Sequence, residues 1–121
     1  MTVLEIAKAL DFEILAGKDA LNREVKCIFC CDLLSFVMGR APADSAWVTV
    51  MGNINAIAVA ALADTACIIL AENAEIEEKA IERAEQQDIA VLKTAMPIYN
   101  AAKAVDMVAL SDRSSVEPNV L

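Results

Sequence analysis

The stretch ACIILAENAEIEEKAIERAEQQDIAVLKT, residues 66–94, changes its hydrophobic period twice. ACIILA (66–71) is a short unbroken apolar run, rich in isoleucine, and reads as a strand covered on both faces. AEIEEKAIERAEQQD (74–88) places Ile76, Ala80, Ile81 and Ala84 on one stripe with acids opposite, the pattern of an amphipathic helix. IAVLKT (89–94) returns to the strand pattern. A strand, a helical crossover and a second strand make a βαβ unit, whose strands run parallel.

Working outward, the unit repeats. AWVTVM (46–51) reads as a strand, and NINAIAVAALAD (53–64) as a helix apolar nearly all round and hence buried. Before them, EVKCIFC (24–30) reads as a strand, LLSFVMG (33–39) as a short helix closed by Gly39, and APADS as a turn. On the far side PIYNAAKAVDMVAL (97–110) is a final helix, with Pro97 acceptable in its first turn. Thr2-Val3-Leu4-Glu5 has the form of a capping box, opening a helix that runs to about Leu10. DFEILAG reads as a short strand or extended arm ending at Gly17, and GKDALNRE as a polar loop. The expectation is an α/β fold, a small three-layer sandwich with a mostly parallel sheet. One domain spans residues 1–110, and the polar segment 111–121 is expected to be a flexible tail.

Composition narrows the function. Of the 121 residues 58% are hydrophobic and only 4% aromatic, so the core must be built from Ala, Val, Ile and Leu. A single small domain has limited interior, which points to a homo-oligomer, a dimer first, that covers the surplus. The net charge of −8 argues against nucleic acid and anionic membranes, because neither phosphate backbones nor acidic lipids attract an acidic chain. No apolar run approaches the roughly 20 residues that span a bilayer, and the N-terminus lacks a basic leader, so a cytoplasmic location is expected. The chain has no histidine, which rules out a Ser-His-Asp triad, a Cys-His pair and any mixed Cys/His zinc site within one chain. Its three glycines are Gly17, Gly39 and Gly52, so neither G-x-x-x-x-G-K-[ST] nor G-x-G-x-x-G can be written, and no cofactor is expected.

Cys27, Cys30 and Cys31 resemble a metal or redox centre, but no glycine or proline is present to turn the chain between them. On a strand Cys27 and Cys31 share one face while Cys30 points to the other. With Cys67 on a different strand, they read as small buried hydrophobes and no metal is expected. Asp32 sits where a strand ends and a helix begins, in position to cap the amides of Leu34 or Ser35. Asn53, Asn73 and Thr94 follow other strands and are likewise N-cap residue types. Together Asp32, Ser35, Asn53, Asn55, Glu72 and Thr94 fall along the carboxyl edge of the sheet, where open α/β sheets bind ligands. Helix N-termini there favour an anion; Asp32 and Glu72 oppose one. Glu75, Glu77, Glu78, Glu82 and Glu85 read as a solvated face, and Trp47 and Tyr99 as residues at the edge of the core.

CDLLSFVMGRA (31–41) and the run from Ala46 to Thr94 resemble the DRTGG domain family, and the similarity extends from Thr2 to about Leu110. The resemblance implies the α/β sandwich of the HPr kinase/phosphorylase amino-terminal domain, a regulatory or assembly role, and frequent self-association. It implies no catalytic activity of the module itself, and the chain holds no nucleotide-binding loop that would make it a kinase. Where the family carries Asp-Arg this sequence reads Asn53-Ile54, and where it carries Thr-Gly-Gly this one reads Ala71-Glu72-Asn73. The changes remove a cation and two residues that allow close backbone approach. The resulting expectation is a non-catalytic, homodimeric module that acts on a partner enzyme or signalling protein. The competing reading is a sensor that binds a nucleotide or other small anion along the Asp32–Thr94 rim.

Overall fold

The computed structural model describes residues 1–109. The 111–121 tail expected from the sequence lies outside the described residues. In chain order the elements are α1 (Val3–Leu10), β1 (Glu13–Ala16), a short 3-10 turn (Lys18–Ala20), β2 (Cys27–Cys30), α2 (Leu34–Arg40), β3 (Ser45–Thr49), α3 (Ile54–Ala63), β4 (Cys67–Leu70), α4 (Glu78–Gln86), β5 (Ala90–Lys93) and α5 (Ile98–Ala109). The five strands form one sheet in the order β1-β5-β4-β3-β2. β2, β3, β4 and β5 are parallel, each beside the next in sequence, and β1 closes the far end antiparallel to β5.

Because each crossover steps the same way along the sheet, the handedness rule for βαβ units puts α2, α3 and α4 on one face. α3 lies between α2 and α4, while α1 and α5 pack together on the other face, giving three layers. Side-chain alternation divides the core accordingly. Ala46, Val48, Cys67, Ile69, Ala90 and Leu92 pack under α1 and α5; Trp47, Ile68, Leu70 and Val91 pack under α2–α4. The α/β sandwich expected from the sequence is the fold observed.

Local chemistry sets the ends of α1. Thr2 Oγ1 accepts the Glu5 amide at 3.2 Å and the Glu5 carboxylate accepts the Thr2 amide at 2.8 Å, completing the capping box. That amide bond holds the Glu5 carboxyl below its ordinary pKa. Gly17 is in the left-handed region at φ 79°, and a Cβ there would lie 2.2 Å from the Ile89 carbonyl oxygen. Only glycine lets β1 run into the following turn against β5.

Three expectations need correction. Trp47 is fully buried, with its Nε1 donating to the Cys31 carbonyl at 2.9 Å, so it is a core residue and not an edge residue. The helix expected over 74–88 begins only at Glu78, because Glu72 and Asn73 adopt left-handed backbone and the Glu77 amide donates to the Gly52 carbonyl at 2.8 Å. Those contacts hold residues 71–77 in a loop along the sheet edge. The acids of this region also do more than face solvent: Glu85 accepts the Gly17 amide, and Glu77 bonds at the start of α3.

Candidate functional site

All four parallel strands deliver their carboxyl ends to one edge, so the turns carrying Asp32, Asn53, Glu72 and Thr94 form a single rim. The rim is laced by its own hydrogen bonds. Asp32 does not cap α2, whose N-cap residue is Leu33 with no side-chain cap bond. Its Oδ1 instead accepts from Thr49 Oγ1 at 2.6 Å and from the Val50 amide at 3.0 Å, tying the end of β2 to the end of β3. Strand geometry explains the choice, since Thr49 is fully buried and its hydroxyl needs an acceptor. Ser35 is exposed within α2, and Asn55 is exposed in the first turn of α3.

Asn53 acts as the N-cap expected, its side chain accepting the Ala56 amide at 2.9 Å. The next free donor of α3, the Ile54 amide, goes to Glu77 Oε1 at 3.1 Å. A carboxylate of this chain therefore occupies a position where a helix N-terminus would otherwise attract an external anion. Gly52 permits the arrangement, because a Cβ there would lie 2.1 Å from the Glu75 carbonyl oxygen.

Further along, Ala71–Ala74 form a turn closed by the Ala74 amide on the Ala71 carbonyl at 3.0 Å, with φ of 60° at Glu72 and 55° at Asn73. The resemblance noted in the sequence implies glycines at these two positions, and positive φ is a conformation that glycine adopts without strain. The Glu72 amide donates to the Met96 carbonyl at 2.8 Å and the Asn73 amide to the Thr94 carbonyl at 2.9 Å. Asn73 is thus a turn residue and not the helix cap expected of it. Thr94 is not a helix cap either: its Oγ1 accepts the Met96 amide at 3.2 Å, and α5 starts only at Ile98.

Two hollows lie on the surface of the described residues. One, about 210 Å³, lies between α3 and α4 and is lined by Ile54, Lys79, Glu82, Arg83 and Gln86. The other, about 280 Å³, lies between β2 and α5 and is lined by Ile28, Tyr99, Ala102, Lys103 and Asp106.

The cysteines divide by burial. Cys67 is fully buried, and burial pushes its thiol up to about 12. Cys27 and Cys31 are half-buried, but Cys30 is exposed, against the expectation that all four would be buried. Its pKa is raised by partial burial, then by the charge of Asp32 and by Cys31, so it is a poor thiolate former. Among the described residues no cluster of three His, Cys, Asp or Glu side chains is placed to hold a metal ion. Nor is any helix among them long and apolar enough to cross a membrane.

Sequence reasoning missed the clamp at the opposite, amino edge of the sheet. Arg23, read as part of a polar loop, donates through Nη2 to Asp44 Oδ1 at 2.8 Å, to the Asp64 carbonyl at 2.6 Å and to Asp64 Oδ1 at 2.9 Å. The Arg23 bond holds the Asp44 carboxyl below its ordinary pKa. The clamp joins the turns that start β3 and β4, and it is structural. Its only sequence signal was the pairing of lone aspartates before two strands, which single-sequence patterns do not connect to a distant arginine.

A five-stranded, sequentially ordered sheet between two helical layers, with its carboxyl edge bonded by side chains of its own turns, defines a small α/β sandwich module. The chain belongs to the DRTGG domain family, whose model matches residues 5–108. Among solved structures it is similar to the CBS and DRTGG domains of the regulatory region of a Clostridium perfringens pyrophosphatase, complexed with the activator diadenosine tetraphosphate. The likeness has a TM-score of 0.68 at 13% identity, over 99% of this chain and 52% of that one. The chain therefore spans about half the length of that regulatory region. None of the curated proteins matches it in sequence.

Proposed function

We propose that this chain is a non-catalytic regulatory module of the cytoplasm that pairs with a second copy of itself and acts by contact with a partner enzyme or signalling protein. The observation that carries this reading is the closed rim. Asp32, Glu77 and the amides of Glu72 and Asn73 are bonded to the chain itself, which leaves the usual ligand edge of an α/β sheet acting as a structural seam. Membership in the DRTGG family and the regulatory setting of the pyrophosphatase domains support it.

A second reading, a sensor for a nucleotide or similar anion, is favoured by one feature. Lys79 and Arg83 line the hollow beside the first turn of α3, and the pyrophosphatase regulatory region was solved with a dinucleotide activator. In this reading Asp32, Ser35, Asn53, Asn55, Glu72 and Thr94 form the neighbouring rim. A thermal-shift series with adenine nucleotides and inorganic phosphate separates the two. The interaction-module reading predicts no change in melting temperature. Ligand at a hundred times its dissociation constant would add about 2.7 kcal/mol, and a shift of that size would replace the first reading with the second.

A further inference from the structure

We infer that the self-association surface is the β2 end of the sandwich, where α5 on one face and α2 on the other meet the same end of a second copy about a two-fold axis. This inference deepens the dimer proposed above and rests on it.

The two ends of the sheet differ in chemistry. At the β1 end, α4 contacts β1 and β5 and carries Glu78, Glu82 and Glu85. At the β2 end, exposed apolar side chains collect on both outer helices. α2 exposes Leu33 just before its start, then Phe36 and Met38; α5 exposes Tyr99 at 71% and Met107 at 63%. The last strand between them is only half-covered, and the hollow floored by Ile28 and Ala102 lies there. Five of the nine large hydrophobics exposed among the described residues lie at this end, with Leu62 on α3 and Ile14 on β1 outside it, and such a concentration marks a contact surface.

What selects a second copy as the occupant is the charge pattern. Tyr99, Ala102, Lys103 and Asp106 recur at helical spacing along the groove-facing stripe of α5. Lys103 lies 6.0 Å from the Tyr99 ring centroid and is exposed, as is Asp106. When two α5 helices cross antiparallel about a two-fold axis, the residues that meet have a constant sum of positions. A centre between Lys103 and Asp106 pairs each lysine with the aspartate of the other copy and sets Ala102 against Met107. An isologous interface requires this self-complementarity: residue i meets j, and j meets i. Glu78, Glu82 and Glu85 of α4 lie at the opposite end of the sheet, away from the seam.

Sedimentation equilibrium of the full chain and three surface variants tests the surface. The wild type is expected to be a dimer of twice the 12.9 kDa chain mass at micromolar concentration. Lys103→Glu sets like charges against each other twice per dimer and is expected to weaken it about tenfold or more. Adding Asp106→Lys to it restores both pairs with reversed sign and returns the dissociation constant to near the wild-type value. Tyr99→Asp weakens the dimer independently. Unchanged melting temperatures establish that the variants fold. A wild-type dimer indifferent to all three variants overturns this surface and leaves self-association standing. A monomeric wild type overturns both. A chain that dimerises only after removal of residues 110–121 identifies that segment as the occupant and also overturns the inference.

Discussion

Replacing Asp32 by alanine separates a structural rim from a ligand site. The substitution removes two acceptor contacts, at 2.6 Å from Thr49 Oγ1 and 3.0 Å from the Val50 amide. Asp32 itself is exposed, so its own desolvation contributes little; the cost lies with Thr49, which is fully buried. An orphaned buried hydroxyl costs about 1–3 kcal/mol, and the lost charge-assisted bond to an exposed amide adds a smaller amount. The expected loss is about 2 kcal/mol, read as a fall in melting temperature of roughly 8 °C for a domain of this size. Thr49→Val removes the need for the acceptor and is expected to cost about 1 kcal/mol, since the Met51 amide also bonds that hydroxyl at 3.2 Å. In Thr49→Val, Asp32→Ala should then cost markedly less than in the wild type, with a coupling energy of about 1 kcal/mol. Chemical denaturation of the four proteins measures the cycle. Additive losses, or an Asp32→Ala protein more stable than wild type, would refute the reasoning and point to a carboxylate held for ligand binding at the expense of stability.

Other predictions follow from the same geometry. Gly52→Ala drives a Cβ to 2.1 Å from the Glu75 carbonyl oxygen, and urea denaturation should show a loss of about 2–3 kcal/mol. Glu72→Gly relieves left-handed strain of about 1–2 kcal/mol against an unfolded-state entropy cost of about 0.4–1 kcal/mol, so calorimetry should find it stabilised by about 0.5–1 kcal/mol. Asn73→Gly, starting from a residue that tolerates this conformation, should change stability little. The thiol of Cys67 is raised from 9.0 to about 12 by burial, so the folded state holds its proton where the unfolded state loses it. Its contribution is complete below pH 9 and declines between pH 9 and 12 by about 1.4 kcal/mol per unit. Cys67→Val should flatten that part of the stability profile relative to wild type, and equal slopes would contradict it.

The layers were legible because periodicity records burial. The unbroken runs around Ile69 and Leu92 belong to strands covered on both faces, and the all-round apolar Ala56–Ala60 segment belongs to the middle helix of three. The Thr2–Glu5 box and the Asn53 cap were readable because each bond spans three residues. The rim was legible in position but not in wiring. Asp32 reaches seventeen residues ahead to Thr49, and Glu77 reaches back to Ile54, so neither bond leaves a local pattern. Local rules assigned Asp32, Asn73 and Thr94 to the nearest helix; tertiary partners won for Asp32 and Asn73, and a turn bond to the Met96 amide won for Thr94. The resemblance marked the Glu72-Asn73 turn, but only the backbone angles show why glycine suits these positions.

Amide hydrogen exchange at single-residue resolution reads most directly whether the carboxyl edge is sealed from within. The amides of Val50, Ile54, Glu72 and Asn73 all donate to groups of this chain and should exchange slowly, within reach of strand amides such as Ile69, with no change on adding nucleotide. Exchange of these four near the rate of an unstructured peptide, with protection appearing only when an anion is added, would contradict the account.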